Sequence, residues 1–500
     1  MFKGLILTLF LFATPLAAPR APAPIAPADL LRHIAILASD RFEGRAPGTA
    51  GERRTTDYIV AQFRARGLEA AGENGTWLQT LHLVQRRPGS ATVRWTAGGR
   101  PVEIAPDKIV LTGREPRTLV ADAAIVFAGH GARLIERGID QLAGTDVRGK
   151  VVLILMQGPE IAGFPSAGER MLAVSEAGAA AVIGIVGDDL PWETVAAAFR
   201  EGSTGDAATP TPALYGLMPM AAAQRLVNAA GGDMGRLLND QPGSSFRAVA
   251  LNARARMDVT TQVTPLDTSN VIGRLRGSRA TGESLLLLAH WDHLGSQCRP
   301  AGEADRICNG AVDNASGVAS LIEIAGRLAF LPRQPRDMLF MATAAEEMGL
   351  LGASYFAEHP IVPLASIVAA INMDTVAIHP AGEPVAMMGR GTPALDRLVD
   401  ATIVDMGRRI DPDDEAAAFV QRQDGWALAR HGVPAIMVGG SFSNLALLNA
   451  FLGGRYHGPD DEADGQLMLD GAAEDANLIV TLAGRLADPA TYQRQQRPAS

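Results

Sequence analysis

The chain has 500 residues, which is too long for one ordinary domain and suits two or three. Hydrophobic residues make up 47% of the chain and charged residues 20%, so the composition is that of a globular protein with ample core material. The formal net charge of −9 argues against a nucleic-acid binder, because such a protein needs a basic footprint.

Residues 1–18 predict a secretory signal peptide. Lys3 provides a positive start, residues 4–13 form an apolar run, and Ala17 and Ala18 are small residues suited to cleavage. A membrane anchor is the alternative, but the run is short for a span, which needs about 20 apolar residues. We therefore expect an exported protein, periplasmic or secreted, without stable membrane insertion.

Residues 25–117 predict the first segment of a catalytic domain. Residues 27–68 carry apolar side chains at helical spacing on both sides of a Gly/Pro-rich loop, EGRAPGTAGE. Residues 76–115 have the pattern of strands joined by turns. Residues 118–255 then predict a small inserted α/β domain, in which buried strands such as KVVLILMQG alternate with helices such as AAAQRLVNAA.

Residues 256–488 predict the second segment of the catalytic domain. Four short apolar runs, SLLLLAH, DMLFMATA, SIVAAINM and PAIMVGG, are separated by helical patterns. Strands that alternate with helices indicate an α/β domain with a mostly parallel sheet covered on both faces, and in such sheets ligands bind beyond the carboxyl ends of the strands. Residues 489–500 form an Arg/Gln-rich tail that we expect to be disordered.

Polar residues follow three of these apolar runs directly. His290 and Asp292 end the first, Glu346 and Glu347 follow the second, and Asp374 follows the third. Carboxylates at such positions are costly to bury unless they are paired or bound to a metal. We therefore expect these side chains to converge on one edge of the sheet.

Asp313 and His457 complete the polar set. Asp313 precedes a helix and could instead be a helix cap, while His457 lies in a longer loop after the fourth run. Two histidines, several carboxylates and no thiolate suit a hydrolytic zinc site, and a carboxylate can bridge two metals about 3.5–4 Å apart. His290 and Asp292 are two apart in a strand and share a face, so Asp292 can orient the imidazole.

The adjacent pair Glu346 and Glu347 leaves one choice open. One glutamate can ligate a metal while its neighbour handles the proton of a water, and the residues alone do not say which. The two cysteines, Cys298 and Cys308, pair in an exported protein or remain free thiols, and their spacing makes no zinc-finger pattern.

Five ordered motifs resemble the co-catalytic di-zinc aminopeptidases of the bacterial leucyl-aminopeptidase and glutamate-carboxypeptidase superfamily. They are HWDH from His290, GAVDNASG around Asp313, the pair Glu346-Glu347, INMD ending in Asp374, and YHGPDDEAD around His457. The resemblance extends to DRFEGRAPGTAG near the N-terminus and to TSNVIGRLRG. Within residues 118–255, DVRGKVVLI followed by EAGAAAVIGIV resembles a protease-associated domain.

The resemblance implies a di-zinc exopeptidase that hydrolyses the N-terminal peptide bond of peptides, and it assigns roles to residues. His290 and Asp374 would hold one zinc. Glu347 and His457 would hold the other, and Asp313 would bridge both. Glu346 would be the general base, with Asp292 orienting His290.

Other side chains and other functions remain open beside this assignment. His293 either lines the site or makes a structural hydrogen bond, and Asp461 is expected to support the loop of His457. Asp424 stands where relatives often carry Ser-Asp-His, but its neighbours here, Gln423 and Gly425, depart from that pattern. The same scaffold supports carboxypeptidases, glutaminyl cyclases and non-catalytic receptors, although a receptor typically loses ligands or the base. Manganese or cobalt could occupy similar ligands.

Overall fold

The computed structural model describes residues 23–159, 164–239, 246–296, 298–299, 302–413 and 415–494. The predicted signal peptide, residues 1–18, lies outside these ranges. The chain forms two compact units. Unit 1 comprises the chain up to Gln79, Asn270–Ala344 and the chain from Phe356 onward, and unit 2 comprises Thr80–Ser269 and Ala345–Tyr355.

The helices and strands are numbered in chain order. The helices are α1 (Pro27–Leu37), α2 (Ala50–Ala65), α3 (Ala167–Glu176), α4 (Trp192–Glu201), α5 (Met220–Ala229), α6 (Met234–Asn239), α7 (Ser316–Phe330), α8 (Leu351–Glu358), α9 (Pro393–Asp405), α10 (Asp424–Arg430), α11 (Leu445–Leu452) and α12 (Leu469–Leu486). The strands are β1 (Glu69–Ala70), β2 (Leu78–Ala97), β3 (Arg100–Val102), β4 (Val110–Gly113), β5 (Arg117–Phe127), β6 (Arg133–Leu134), β7 (Ile139–Asp140), β8 (Val151–Leu155), β9 (Ala181–Val186), β10 (Ser203–Asp206), β11 (Leu214–Pro219), β12 (Val249–Leu275), β13 (Ser284–His290), β14 (Asp337–Thr343), β15 (Ile367–Asn372), β16 (Ala386–Met388) and β17 (Ala435–Gly439).

The sheet of unit 1 has the strand order β12–β14–β13–β15–β17–β16. Its four middle strands run parallel, and the end of β12 and the short β16 pair antiparallel at the two edges. Helices separate the parallel strands along the chain, as the alternation of apolar runs and helical patterns predicts. The predicted fold class, a mostly parallel α/β sheet flanked by helices, is confirmed.

The middle strands are apolar throughout because both faces of the sheet are covered. In β13, Leu285 and Leu287 belong to the core cluster that contains α1, α7 and α12, whereas Leu286 and Leu288 belong to a second cluster with Phe356. Alternate residues of a strand point to opposite faces, so a continuous apolar run is what burial on both sides requires. The strands therefore form a rigid base on which the loops at their carboxyl ends stand.

Unit 2 contains its own mostly parallel arrangement, with the order β12–β5–β8–β9–β11–β4. The unit extends beyond the predicted insert at both ends, because β2 pairs with β10 over Leu83–Arg86 and the first part of β12 pairs with β5. The identification of residues 118–255 as a protease-associated domain stays a prediction. Among the described residues, no helix has both the length and the apolar character that crossing a membrane requires.

Two further sequence expectations are decided by the structure. Cys298 and Cys308 form a disulfide, with their Cα atoms 6.0 Å apart. The expectation of a disordered tail from residue 489 is wrong for its first part, because Tyr492 is buried and Arg494 donates hydrogen bonds to the carbonyls of Leu364, Ala365, Ile367 and Gly432. Residues 495–500 lie outside the described ranges.

A buried ion pair joins the loop after β15 to α12. His379 Nε2 lies 2.9 Å from Asp475 Oδ2, and the other ring nitrogen lies 3.0 Å from the carbonyl of Pro380. Arg408 contacts the second oxygen of Asp475 at 3.1 Å. Burial alone would lower the pKa of His379, but the hydrogen bond and charge of Asp475 outweigh it and raise that pKa.

We predict that His379 stabilises the fold more at low pH than at high pH. A histidine whose pKa is raised on folding contributes its full stabilisation below its unfolded pKa of about 6.5 and loses it as pH rises through the folded value. His379→Gln should therefore lower the free energy of unfolding by about 2 kcal/mol at pH 6 and by less at pH 9. Urea unfolding of both proteins across this range checks the prediction, and a difference that does not change with pH would contradict it.

Candidate metal centre

The sheet of unit 1 places two of the predicted ligands side by side. His290 is the last residue of β13, and Asp374 follows the end of β15 by two residues. The strands are held in register there, since Leu288 pairs with Asn372 and the amide of Met373 donates to the carbonyl of Leu288 at 2.9 Å. The carboxyl ends of parallel strands meet at one edge, which brings the two side chains together.

His290, Asp313 and Asp374 form one cluster, whose ligand atoms all lie within 4.8 Å of one another. Nε2 of His290 lies 3.2 Å from Asp313 Oδ1 and 3.4 Å from Asp374 Oδ1. Ligand atoms of a tetrahedral ion with bonds of roughly 2.0–2.1 Å are about 3.3 Å apart. The separations therefore fit a shared ion.

The tautomer of His290 strengthens this conclusion. Its Nδ1 lies 3.2 Å from the carbonyl oxygen of Asp292, and a carbonyl only accepts, so Nδ1 carries the proton. In the neutral ring, Nε2 then presents a lone pair to two carboxylates that are also acceptors. Three acceptors face one another, of which His290 and Asp313 are buried and Asp374 is half-buried, and a divalent metal between them would offset their mutual repulsion.

The carboxylate of Asp313 faces a histidine on each side. Its Oδ1 faces His290, and its Oδ2 lies 3.3 Å from Nε2 of His457. A carboxylate with one oxygen toward each of two imidazole nitrogens has the arrangement of a bridging ligand.

Asp461 fixes the loop that carries Asp313. Its buried carboxylate accepts hydrogen bonds from the amides of Val312 and Asp313, both at 3.0 Å, and its carbonyl accepts from Ala311 at 3.0 Å. Burial raises the pKa of Asp461, while the two amides act in the opposite direction. Asp461 was predicted to support the loop of His457. It lies in that loop, and its hydrogen bonds join it to the loop of Asp313.

His457 is held by its neighbours in an unusual backbone conformation. It has φ 56°, and its ring stacks on that of Tyr456 with centroids 3.7 Å apart. Thr375, next to Asp374, and Ala345, next to Glu346, also have positive φ. Residues other than glycine adopt this region at a cost, and such residues concentrate at functional sites.

The contact that orients the ring of His290 differs in one respect from the sequence expectation. Asp292 was predicted to orient His290 through its carboxylate, but that group lies 3.8 Å from Nδ1, and the carbonyl of Asp292 is the closer acceptor. The buried ring of His293, for which two roles were open, lies 5.7 Å from that of His457, at the edge of the site.

The pair Glu346 and Glu347 begins three residues after Thr343, the last residue of β14, whose partner in β13 is His290. Both lie in a turn of the segment Ala345–Tyr355 that belongs to unit 2, where the amides of Gly349 and Leu350 donate to the carbonyl of Glu346 at 2.8 Å. Their roles as base and ligand stay predictions.

Two contacts beneath the site were missed by the sequence reasoning. The Thr343 hydroxyl donates to Asp424, and the Asn372 amide donates to Gln423 at 2.9 Å. Burial raises the pKa of Asp424 to about 6. These contacts tie α10 to the ends of β14 and β15. They explain why Gln423 and Asp424 are buried, and the explanation does not need a contact with substrate.

One family of known proteins matches the part of the chain that contains these residues. The sequence model of "Peptidase family M28" matches residues 270–482, which include His290, Asp313, Glu346, Glu347, Asp374, His457 and Asp461. The match begins within β12 and ends in α12. It therefore contains the parallel strands of unit 1 and the loops at their carboxyl ends.

Two curated relatives match over a short part of their length. The chain is 36% identical over 95 residues to a vacuolar membrane protease of Eremothecium gossypii, and 36% identical over 94 residues to a probable zinc metalloprotease of Leptosphaeria maculans. Each match covers 19% of this chain, but only 8% of the first protein and 21% of the second. The chain thus shares a segment with these proteins.

A solved structure is similar over almost the whole chain. The aminopeptidase from Aneurinibacillus sp. strain AM-1 superposes with a TM-score of 0.54 at 18% sequence identity, over 95% of this chain and 97% of that one. At this identity the likeness concerns the fold, and it agrees with the mostly parallel α/β sheet described above.

We predict that Asp461→Asn weakens metal binding without unfolding the protein. Asparagine replaces one carboxylate oxygen with an NH2 group that cannot accept a hydrogen bond, so the amides of Val312 and Asp313 keep at most one oxygen to share, and such outer contacts are worth about 10–100-fold in metal affinity. Asp337→Asn is a matched control, because Asp337 accepts from the amide of Gly277 at the opposite end of β14. Metal retained after gel filtration, measured by mass spectrometry, should fall only in Asp461→Asn, and equal losses would contradict the prediction.

Proposed function

Because the chain belongs to peptidase family M28 through its segment 270–482, we propose that it is a zinc-dependent aminopeptidase that hydrolyses the N-terminal peptide bond of peptides. One observation supports the proposal most strongly. The buried carboxylate of Asp313 turns one oxygen toward His290 and the other toward His457. That arrangement suits a bridge between two metal ions, as co-catalytic hydrolysis requires.

The proposed ligands divide into two sets that share Asp313. His290 and Asp374 would hold one zinc ion, and Glu347 and His457 would hold the other. Nitrogen and oxygen donors without a thiolate suit catalytic zinc, and the relatives include a protein described as a probable zinc metalloprotease. Manganese and cobalt accept similar donors, so the donor set favours zinc over them only weakly.

The chemistry needs both the ions and the groups of the chain. When bound, the two ions would lower the pKa of a water from 15.7 toward about 7, polarise the scissile carbonyl and receive the free α-amine of the substrate. Glu346 takes a proton on its carboxylate oxygen from the attacking water and passes it to the leaving amine. His290 keeps its proton on Nδ1, against the carbonyl of Asp292. Its Nε2 is therefore free of a proton and faces Asp313 and Asp374, where it would bind the ion.

We also propose that the protein is exported, periplasmic or secreted. The proposal rests on the charge and the apolar run of residues 1–18. The disulfide between Cys298 and Cys308 supports it, because such bonds persist outside the reducing cytoplasm.

We predict that the purified protein cleaves aminoacyl chromogenic amides in a metal-dependent manner. Activity should vanish with a chelator, return with added zinc, and fall by at least 10²-fold in Glu346→Gln, because the amide cannot take up the proton. The zinc content of Glu346→Gln should stay unchanged, since this residue is proposed as the base and not as a ligand.

Glu176→Gln controls for the chemical change itself, because Glu176 is an exposed residue at the end of α3. It should retain full activity. A protein that binds two zinc ions and cleaves none of the amides would contradict the aminopeptidase proposal, and acidic dipeptides and N-terminal glutaminyl peptides would then test the carboxypeptidase and cyclase activities.

A further inference from the structure

Arg45 is a fully buried arginine in the N-terminal part of unit 1, outside the segment matched by the family. It is 1% exposed and lies in the loop between α1 and α2. The planar guanidinium carries five donors in a fixed fork, which suits it to hold several acceptors at once. A charged group is costly to bury without such partners, so its position is informative.

The guanidinium of Arg45 holds four backbone carbonyls. Nε donates to Trp291 at 2.9 Å, and Nη2 donates to Gly310 at 2.9 Å. Nη1 donates to Leu37 at 2.9 Å and also to Asn309. These carbonyls belong to three separate segments of the chain, so one side chain fixes their spacing.

Two of these segments carry proposed metal ligands. Trp291 is the residue between His290 and Asp292, and its amide is held by the carbonyl of Thr343 at 2.9 Å. Asn309 and Gly310 precede Asp313 in the loop that leads into α7. The arginine therefore connects the end of β13 to the loop of Asp313. The ligand atoms on these two segments, Nε2 of His290 and Oδ1 of Asp313, lie 3.2 Å apart, which suits a shared ion.

The backbone around Arg45 is shaped for this contact. Glu43, Gly44 and Arg45 all have positive φ, and the carbonyl of Gly44 accepts from Gly295 at 2.9 Å. A Cβ on Gly44 would lie 2.6 Å from the carbonyl oxygens of Cys308 and Gly295. Three successive residues in the left-handed region are unfavourable, and they persist because the surrounding contacts determine them.

We propose that Arg45 is a positioning residue for the metal centre, which sets the distance between His290 and Asp313 through the carbonyls of their loops. The proposal rests on the proposed metal site, but not on the substrate. The lysine side chain carries its donors on a single nitrogen, so it cannot reproduce the fork by which Arg45 holds the three segments together. Arg45→Lys should therefore weaken zinc binding about 10–100-fold. It should lower kcat while leaving KM within a factor of about three, because a side chain that is 1% exposed cannot contact the substrate.

A second buried arginine provides a matched control. Arg336 is also 1% exposed, and it pairs with Glu283 and donates to the carbonyls of Leu486 and Tyr492 at 2.8 and 2.7 Å. It precedes β14 at the end opposite Thr343, and a strand of seven residues spans about 20 Å. Arg336→Lys should destabilise the fold and leave zinc affinity unchanged.

The experiment measures the zinc dissociation constant of the full mature chain by competition with a chromogenic chelator, and melting temperature alongside. Weaker zinc binding in Arg45→Lys but not in Arg336→Lys supports the proposal. Unchanged affinity in Arg45→Lys, or equal losses in both variants, would overturn it. If the wild type binds zinc but cleaves no peptide, the proposed function fails while the affinity comparison still decides the role of Arg45.

A second variant covers the case in which Arg45→Lys does not fold. Arg45→Gly removes the side chain and accepts φ 52° without strain, so it relieves part of the backbone cost. It should show the same loss of zinc affinity as expected for Arg45→Lys. If neither variant folds while Arg336→Lys does, Arg45 is a requirement of the fold and the positioning role is overturned.

Discussion

The constraint on which the structure depends is the burial of negative charge around Asp313. Its carboxylate is buried, faces the rings of His290 and His457, and lies near the carboxylate of Asp374. Such a group is unfavourable in an apolar interior unless cations and donors compensate it. A divalent metal bound by these carboxylates and imidazole nitrogens would provide that compensation. Without that compensation the loops that carry Asp313 and His457 would not hold one conformation, because the acceptor atoms would repel one another.

The sheet supplies one part of this geometry and its loops supply the other. Parallel strands buried on both faces tolerate little displacement, so the positions of His290 and Asp374 follow from the register of β13 and β15. Asp313 and His457 stand on loops, which the sheet does not fix. Their positions depend on specific contacts. Asp461 accepts from the amides of Val312 and Asp313, and the ring of Tyr456 stacks on that of His457.

This division explains what could be predicted from the sequence. The runs SLLLLAH and SIVAAINM are apolar because both faces are covered, and the rule for carboxyl ends then places His290 and Asp374 together. The sequence shows that Asp313 and His457 carry groups that can bind a metal. A resemblance between motifs then assigned Asp313 to both ions and His457 to one of them. The orientation of His290 could not be read, because a strand pattern does not reveal whether the carbonyl or the carboxylate of Asp292 lies closer.

Long-range contacts were beyond the sequence pattern for the same reason. Arg45 stands in DRFEGRAPGTAG, where its type shows only a charged residue in a Gly/Pro loop, and two of its partners, Trp291 and Gly310, lie 246 and 265 residues away in the chain. The extent of unit 2 was also unreadable, since β12 is a single strand of 27 residues whose two ends pair with different neighbours. Tyr492 and Arg494 look like a polar tail until their partners are known.

The position of Arg45 bears on how the function of the matched segment should be understood. Residues 270–482 contain every proposed ligand, yet α1, α2 and Arg45 lie outside them. Within unit 1, α1 packs in the same apolar core as α7, and Glu323 on α7 accepts hydrogen bonds from Arg66 and His33. A chain cut to the matched segment would leave this core open and would remove two partners of the Glu323 carboxylate, with Arg327 remaining, and both losses destabilise a marginally stable fold. On the roles proposed above, the ligands determine the chemistry, and Arg45, outside the matched segment, holds two of their loops at the required distance.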